Sequence, residues 1–161
     1  MGLSSSVKGM QSKDFQIAVR YGLLADLSAL ATVNLFTIDR GPIIVQGFFG
    51  VVSTVMQAAA TTIAVQLTTS TAYGATAVPI AVATASLTGN QVGTIYTLAG
   101  GVAAALTIQT GAARGVGVYS ITNQQAWVPG IVQIVVGGAT STGIIDWYLQ
   151  YRPAVPGGRA Y

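Results

Sequence analysis

From Ala31 onward the chain consists of short runs rich in β-branched residues, and turn residues interrupt these runs every eight to twelve positions. Within several runs, apolar and polar residues alternate, as they do in a strand whose two faces meet different surroundings. A regular series of short strands joined by turns is typical of a sandwich or a barrel. The sequence therefore predicts an all-β fold, a small antiparallel barrel or sandwich, preceded by an N-terminal arm.

The segment GIIDWYLQYRPA, residues 143–154, shows this alternation most clearly. One set of alternate residues is large and apolar, and we expect it to lie in the core: Ile145, Trp147, Leu149 and Tyr151. The other set includes Asp146 and Arg152, which are six positions apart. That separation is too long for the two to pair with each other along one strand. We therefore expect each of them to pair across strands or across a subunit boundary.

Other runs are also predicted to be strands: residues 32–38, 43–55, 61–69, 78–86, 94–101, 104–111, 115–121 and 130–136. Pro79 indicates an edge strand, because proline cannot donate a hydrogen bond to a neighbour. Gly47 and Gly50 are candidate β-bulges. A connection rich in glycine and threonine joins residues 130–136 to the segment that begins at Gly143, which predicts a hairpin between the last two long strands.

The N-terminal part of the chain has a different pattern. Residues 1–11 are small and polar, which predicts a flexible arm. In residues 12–31, apolar side chains recur at steps of three and four, and Ser12 is a candidate helix cap, so a short helix is favoured within the arm. The predicted organisation is an arm of residues 1–33, a β-domain of residues 34–153 and a C-terminal tail of residues 154–161.

Charged residues make up only 7% of the chain, against roughly a quarter in ordinary soluble domains. The calculated pI of about 9.5 reflects the scarcity of acids, since lysine and arginine do not cluster as they do in nucleic-acid-binding proteins. No apolar run reaches the ~20 nearly continuous residues of a spanning helix. We expect neither a nucleic-acid nor a membrane partner, and a small membrane-associated protein is the weaker alternative.

The residue types exclude several kinds of catalytic and metal site. The chain contains no histidine and no cysteine, which excludes Ser–His–Asp triads and His/Cys zinc sites. Asp39 and Asp146 are the only acids in the predicted β-domain, and we interpret them as a turn residue and a strand-face residue rather than as a dyad or a calcium site. The seven tyrosines suit strands better than a sugar-binding platform. We expect no enzyme activity, no catalytic residue, no cofactor and no metal.

A chain that is 52% hydrophobic and almost uncharged is poorly suited to existence as a free monomer, because scattered charge usually keeps a protein soluble. Threonine, serine, glutamine and asparagine could supply a polar surface instead. The second interpretation, which we favour, is that much of the surface lies against identical neighbours or a larger assembly.

Two stretches carry a resemblance to a known class of proteins: NLFTIDRGPIIVQGFFGVVSTV, residues 34–55, and GGATSTGIIDWYLQYRPA, residues 137–154. With the Thr- and Ala-rich region between them, they resemble small structural proteins of tailed bacteriophages, in which an LFTI-x-x-GPI strand opens a β-domain and a TG-x-I-x-W-x-L-x-Y-x-P strand closes it. The nearest role is that of a capsid decoration, or cement, protein. Head fibre, tail and connector subunits are the alternatives.

The resemblance implies a virion protein that is assembled in the host cytoplasm, binds the outer surface of the capsid and forms a homotrimer. Its expected partners are the major capsid protein and further copies of itself. The arm would make the capsid contacts, and the candidate contact residues are Lys8, Lys13, Phe15, Arg20 and Tyr21.

Overall fold

The computed structural model describes residues 16–20, 31–56, 60–84, 86–98, 104–110, 124–139 and 142–161. Within these residues eleven strands form two antiparallel sheets. One cluster of buried side chains, drawn from both sheets, forms the core. The predicted all-β fold is confirmed, and its form is a sandwich.

In chain order the strands are β1 (Gln16–Arg20), β2 (Thr32–Asp39), β3 (Ile43–Thr54), β4 (Thr61–Thr69), β5 (Ala77–Ala81), β6 (Ile95–Thr97), β7 (Thr107–Gln109), β8 (Gln125–Trp127), β9 (Gly130–Gly138), β10 (Ile144–Pro153) and β11 (Arg159–Ala160). One turn of 3₁₀ helix, Thr71–Tyr73, lies between β4 and β5. The six-stranded sheet has the order β1-β10-β3-β6-β7, with β8 pairing with the first part of β3. The five-stranded sheet has the order β11-β2-β9-β4-β5.

The core is built by alternate residues of the long central strands. In β4, β9 and β10 every second residue is buried, which is the period of two that places successive side chains on opposite faces. The four residues predicted to lie in the core of β10 are Ile145, Trp147, Leu149 and Tyr151, and each is at most 3% exposed. Burying a large apolar side chain of this kind contributes about 1.5–3 kcal/mol.

Trp147 lies at the centre of the six-stranded sheet. Its ring stacks on Phe48 with 5.1 Å between ring centroids and on Tyr96 at 6.3 Å. Gly50 of β3 lies directly opposite Trp147 in the register, and a Cβ placed on Gly50 would come within 2.9 Å of the indole ring. The indole therefore occupies the space that a side chain at position 50 would need.

The hairpin predicted between β9 and β10 is wrong. Strand β9 pairs with β2 and β4 in the five-stranded sheet, whereas β10 pairs with β1 and β3 in the six-stranded sheet. The connection between them crosses from one sheet to the other. The alternation in each strand shows which face is buried, but both sheets bury a face against the same core, so alternation does not distinguish a pairing partner from a strand in the opposite sheet.

The helix predicted in residues 12–31 is also wrong where the chain is described, because Gln16–Arg20 is strand β1 and pairs antiparallel with β10. The open edge of β10 supplies backbone partners that local helix propensity does not take into account. Residues 12–15 and 21–30 of the predicted helix, and the strand predicted at residues 115–121, lie outside the described residues. Strand β1 falls in the predicted arm and β11 in the predicted tail, and each pairs with a strand of the sandwich.

The irregularities of β3 lie near, but not at, the predicted bulge positions. Register shifts against β10 leave Gln46 and Ser53 as extra residues. Gly47 adjoins the first shift, whereas Gly50 lies in regular pairing. The reason for a glycine at position 50 is therefore the packing of Trp147, not a bulge.

We expect Gly50→Ala to lower the free energy of unfolding by about 1–3 kcal/mol, because the new methyl group overlaps Trp147 and the Ile145 side chain. Chemical denaturation followed by tryptophan fluorescence measures the change. The matched control is Gly137→Ala on the outer side of β9, where the nearest atom is the Thr62 hydroxyl at 2.9 Å, which can rotate away. Equal destabilisation by the two variants would contradict the packing explanation.

Candidate functional site

Four of the five residues predicted to contact a capsid are not among the described residues. Lys8, Lys13, Phe15 and Tyr21 lie outside the described residues. Arg20 is the last residue of β1, and its backbone pairs with Trp147 of β10. The position of β1 thus fixes where the arm joins the sandwich, at the open edge of β10.

The two aspartates of the predicted β-domain lie in different sheets. Asp39 ends β2 in the five-stranded sheet, and Asp146 lies on the outer face of β10 in the six-stranded sheet. Among the described residues, no three acidic side chains come close enough together to hold a metal ion. The structure therefore does not bring the two carboxylates together as a catalytic or calcium-binding pair.

The described tyrosines are dispersed rather than gathered into one platform. Tyr96 and Tyr151 are buried, Tyr148 stacks on Phe49 at 4.8 Å on the outer side, and Tyr73 and Tyr161 are exposed. Burial raises the pKa of Tyr96 to about 12, while a 2.7 Å hydrogen bond that Asn90 donates to its hydroxyl opposes this rise. The Tyr151 hydroxyl donates to the backbone oxygen of Ala160 at 3.1 Å and so ties β10 to β11.

The outer side of the five-stranded sheet carries no charged side chain on β9 or β4, nor on β2 before Asp39 at its end. We call this surface the uncharged face. It is formed by the outward side chains of Thr32, Asn34 and Thr37 on β2, Ile131, Gln133 and Val135 on β9, and Thr62, Ala64, Gln66 and Thr68 on β4. Most of them are half-buried by their neighbours.

A row of amides crosses this face. Asn34, Gln133 and Gln66 lie opposite one another on adjacent strands. Gln133 donates to the Asn34 Oδ1 at 2.8 Å, and its own Oε1 accepts from Gln66 at 3.0 Å and from the Thr68 hydroxyl at 2.6 Å. These amide and hydroxyl groups bind one another across three strands, and none of the side chains that form the face is ionisable.

Charge is concentrated at one end of the sandwich instead. Gly130 at the start of β9 pairs with Ile38 near the end of β2 and with Thr69 at the end of β4. The Ala154 N–H donates to the Pro42 oxygen at 3.0 Å, which brings the end of β10 to the turn between β2 and β3. The turns at residues 39–42, 70–76, 128–130 and 153–158 therefore meet at the same end, which we call the charged end.

Four of the six charged residues in the described part of the chain lie at this end: Asp39, Arg40, Arg152 and Arg159. The connections at the opposite end, residues 54–56, 60, 88–94, 138–139 and 142–143, contain none where the structure describes them. Three exposed large side chains, Tyr73, Val155 and Tyr161, are also at the charged end.

Arg159 organises the charged end. Its guanidinium donates two hydrogen bonds to the Asp39 carboxylate, Nε to Oδ1 at 2.8 Å and Nη2 to Oδ2 at 3.0 Å. These bonds hold the pKa of Asp39 below its ordinary value and raise that of Arg159. The same guanidinium lies 5.1 Å from the centre of the Tyr161 ring. The Tyr161 backbone exchanges hydrogen bonds of 2.8 and 3.1 Å with Thr37, so the C-terminal residue is fixed against β2.

The turn between β2 and β3 holds Arg40 in an unusual conformation. Its φ is 58°, in the left-handed region that residues other than glycine rarely adopt. Gly41 follows with φ 144°, and the Val155 side chain occupies the space that a Cβ at Gly41 would need. This close packing fixes the turn and leaves Arg40 exposed.

A groove of about 370 Å³ opens between β5 and β8. Its walls are mainly apolar, with Leu67, Val78 and Ile80 on one side and Trp127 and Val128 on the other. Pro79 of β5 also borders it, in the strand that forms one edge of the five-stranded sheet, as the sequence predicted. The groove carries no charged lining residue among those the structure describes.

Comparison of the chain with protein-family models, with curated proteins and with solved structures finds no match. In the part of the chain that the structure describes, no helix is long and apolar enough to cross a membrane.

Sequence reasoning missed the pairing of Asp39 with Arg159 and the amide row. The paired residues are 120 positions apart, and nothing local links them. The signal for the amide row was present, since Asn34, Gln66 and Gln133 each occupy an outward position of a predicted strand. Their meeting depends on the order of the strands, which the alternation does not contain.

The Asp39–Arg159 pair makes a specific contribution to acid stability. Because the folded-state pKa of Asp39 is lowered, its contribution is present above the ordinary aspartate pKa of about 4 and is lost as the pH falls through the lower folded-state value. We expect Asp39→Asn and Arg159→Gln each to flatten the fall in unfolding free energy below pH 4, measured by urea denaturation at a series of pH values. An acid dependence identical to that of the wild type in both variants would show that the pair contributes nothing.

Proposed function

We propose that this chain is a structural protein of a bacteriophage virion that binds the outer surface of the capsid as a homotrimer and has no catalytic role. Head fibre, tail and connector subunits are the alternatives within the same class. The proposal combines the sequence resemblance over residues 34–55 and 137–154 with the character of the protein surface.

The uncharged face is the observation that carries the proposal. Proteins that remain monomeric usually distribute charge over their whole surface, and this face has none over three adjacent strands. A neutral face can pack against an identical face or a larger assembly without like-charge repulsion and without removing an ion from water. The amide row also keeps the polar groups satisfied when water is excluded.

The architecture suits a protein with a mechanical role. Two packed sheets give a rigid body, and a homotrimer on a capsid would engage several neighbours at once. One modest interface, repeated at many identical sites, then gives a large total stabilisation. The residues before β1 would add contacts with the capsid without enlarging the folded domain.

We expect Ala64→Lys to prevent self-association, because it places a charge at the middle of the uncharged face. The measurement is mass by light scattering coupled to size-exclusion chromatography, where the wild type should show three times the chain mass of 16.4 kDa. The matched control is Val92→Lys, which adds the same charge at an exposed position in the loop at the opposite end from the charged end. If Ala64→Lys retains the wild-type oligomer, the uncharged face is not the subunit interface.

We expect removal of residues 1–15 to abolish binding to the capsid while leaving the oligomer and the thermal unfolding intact. The cut retains β1, so the edge of β10 remains paired, and it removes Lys8, Lys13 and Phe15. Co-sedimentation of the truncated protein with purified phage heads measures the binding. Normal decoration by the truncated protein would mean that the arm is not the capsid contact.

Imaging of intact particles by electron microscopy separates the main proposal from its alternatives. Density for the protein on the outer capsid surface supports the decoration role. Density at the neck, the tail or a fibre favours the corresponding alternative.

A further inference from the structure

We propose that the charged end of the sandwich is a docking surface for an acidic protein surface, with Arg40 and Arg152 binding carboxylates and with Tyr73 and Tyr161 as aromatic anchors. The identity of the partner, a capsid surface, rests on the proposed function. The chemistry of the partner, a surface rich in carboxylates, rests only on the residues at this end.

The first argument is the separation of charge along the molecule. Asp39 and Arg159 neutralise each other, which leaves Arg40 and Arg152 as a net positive charge at the charged end. The described connections at the opposite end carry no charged residue, although Asp146 and Arg20 lie two to three positions into the strands there, and the uncharged face carries none. Among the described residues, three of the four basic side chains are therefore at the charged end, which favours electrostatic attraction of an acidic partner there.

The second argument is the type of side chain exposed there. Tyr73 is 47% exposed, Tyr161 62% and Val155 41%, and all three lie in the turns or terminus of the charged end. Arginine and tyrosine are the residues that most often contribute strongly to protein interfaces, because they combine a large contact area with specific hydrogen bonding. Tyr73 and Tyr161 share the charged end with the exposed guanidiniums of Arg40 and Arg152. A guanidinium is planar and can bind a carboxylate through two hydrogen bonds.

The third argument is that Tyr161 and the backbone of Arg40 are held in position before any partner binds. Tyr161 is fixed by its backbone hydrogen bonds to Thr37 and by the Arg159 guanidinium at 5.1 Å from its ring. Arg40 extends from a turn that the Val155 side chain and Gly41 lock in place. Groups that are already ordered lose less conformational entropy on binding. In addition, residues other than glycine in the left-handed conformation, as Arg40 is, occur preferentially at functional sites.

The chain itself is a poor source of the carboxylates that this end would bind. It has four aspartates and no glutamate. Asp39 is already bound to Arg159, and Asp146 has interactions of its own. A second copy could offer only Asp14 and Asp26, which lie outside the described residues, and two carboxylates make it a weak candidate for the partner. Nucleic acid is also disfavoured, because two unneutralised arginines fall short of the extended basic surface that binds a phosphate backbone.

The test compares two double variants that lower the net charge by the same two units at different places on the molecule. Arg40→Asn with Arg152→Gln neutralises the charged end, and asparagine tolerates the left-handed conformation at position 40. Gln91→Glu with Val92→Glu lowers the net charge by the same two units in the exposed loop at the opposite end and is the matched control. The full-length proteins are passed over biosensor surfaces coated with poly-L-glutamate or with duplex DNA, and their thermal unfolding is compared first.

We expect the wild type to bind poly-L-glutamate at about 50 mM salt and to lose most of that binding at about 300 mM, since exposed charges are screened. The Arg40/Arg152 variant should bind at least about tenfold more weakly, whereas the Gln91/Val92 control should bind much as the wild type does. Absence of wild-type binding overturns the proposal, as does equal weakening by the two variants or stronger binding to DNA than to poly-L-glutamate. If the double variants differ in thermal unfolding, Tyr161→Ala provides a second test. It removes an aromatic anchor but no charge, and it should also weaken binding to poly-L-glutamate.

Co-sedimentation with purified phage heads separates this proposal from the proposed function. Loss of binding in the Arg40/Arg152 variant supports both. Wild-type binding that the variant retains overturns the docking role of the charged end and leaves the virion role standing. Wild-type binding to poly-L-glutamate without binding to heads keeps the acidic chemistry of the partner and overturns the proposed binding to the capsid.

Discussion

The packing of Trp147 against Gly50 is the contact on which the rest of the sandwich depends. It joins β10 to β3, and through the stacked rings of Phe48 and Tyr96 it extends across three strands of one sheet. The same ring faces the core that the five-stranded sheet closes from the other side. Because large side chains from both sheets fill this interior, the two sheets pack against each other with a defined spacing.

The surface of the sandwich has two distinct regions, the uncharged face and the charged end. The uncharged face depends on the strand order β2-β9-β4, which aligns Asn34, Gln133 and Gln66 into one row. The charged end depends on four turns meeting, and on the last strand, β11, which returns the C-terminus to β2. A neutral plane suits packing against identical or repeated neighbours, whereas an end with arginines and tyrosines suits a specific partner. The proposed assignment of self-association to one and docking to the other follows from this difference in chemistry.

The sequence resemblance and the chemistry of the side chains support the proposed role in different ways. The resemblance suggests a class of protein, and the lack of histidine and cysteine narrows the chemistry that the chain can perform. The structure adds that Asp39 and Asp146 lie in different sheets, and that Asp39 is held by Arg159. The aspartates of the β-domain are thus better explained by structure than by catalysis.

The sequence by itself determined which residues face inward. The alternation in β4, β9 and β10 placed Trp147 and Leu149 in the core and Asp146 outside it, because a strand reverses the direction of its side chains at every residue. Only the tertiary structure decided which strands are neighbours. It placed β9 and β10 in different sheets, made a strand of Gln16–Arg20 and brought Arg159 to Asp39. The physical reason is that burial acts on each strand separately and leaves a local pattern, whereas pairing is a relation between distant segments and is settled only when the whole core is packed.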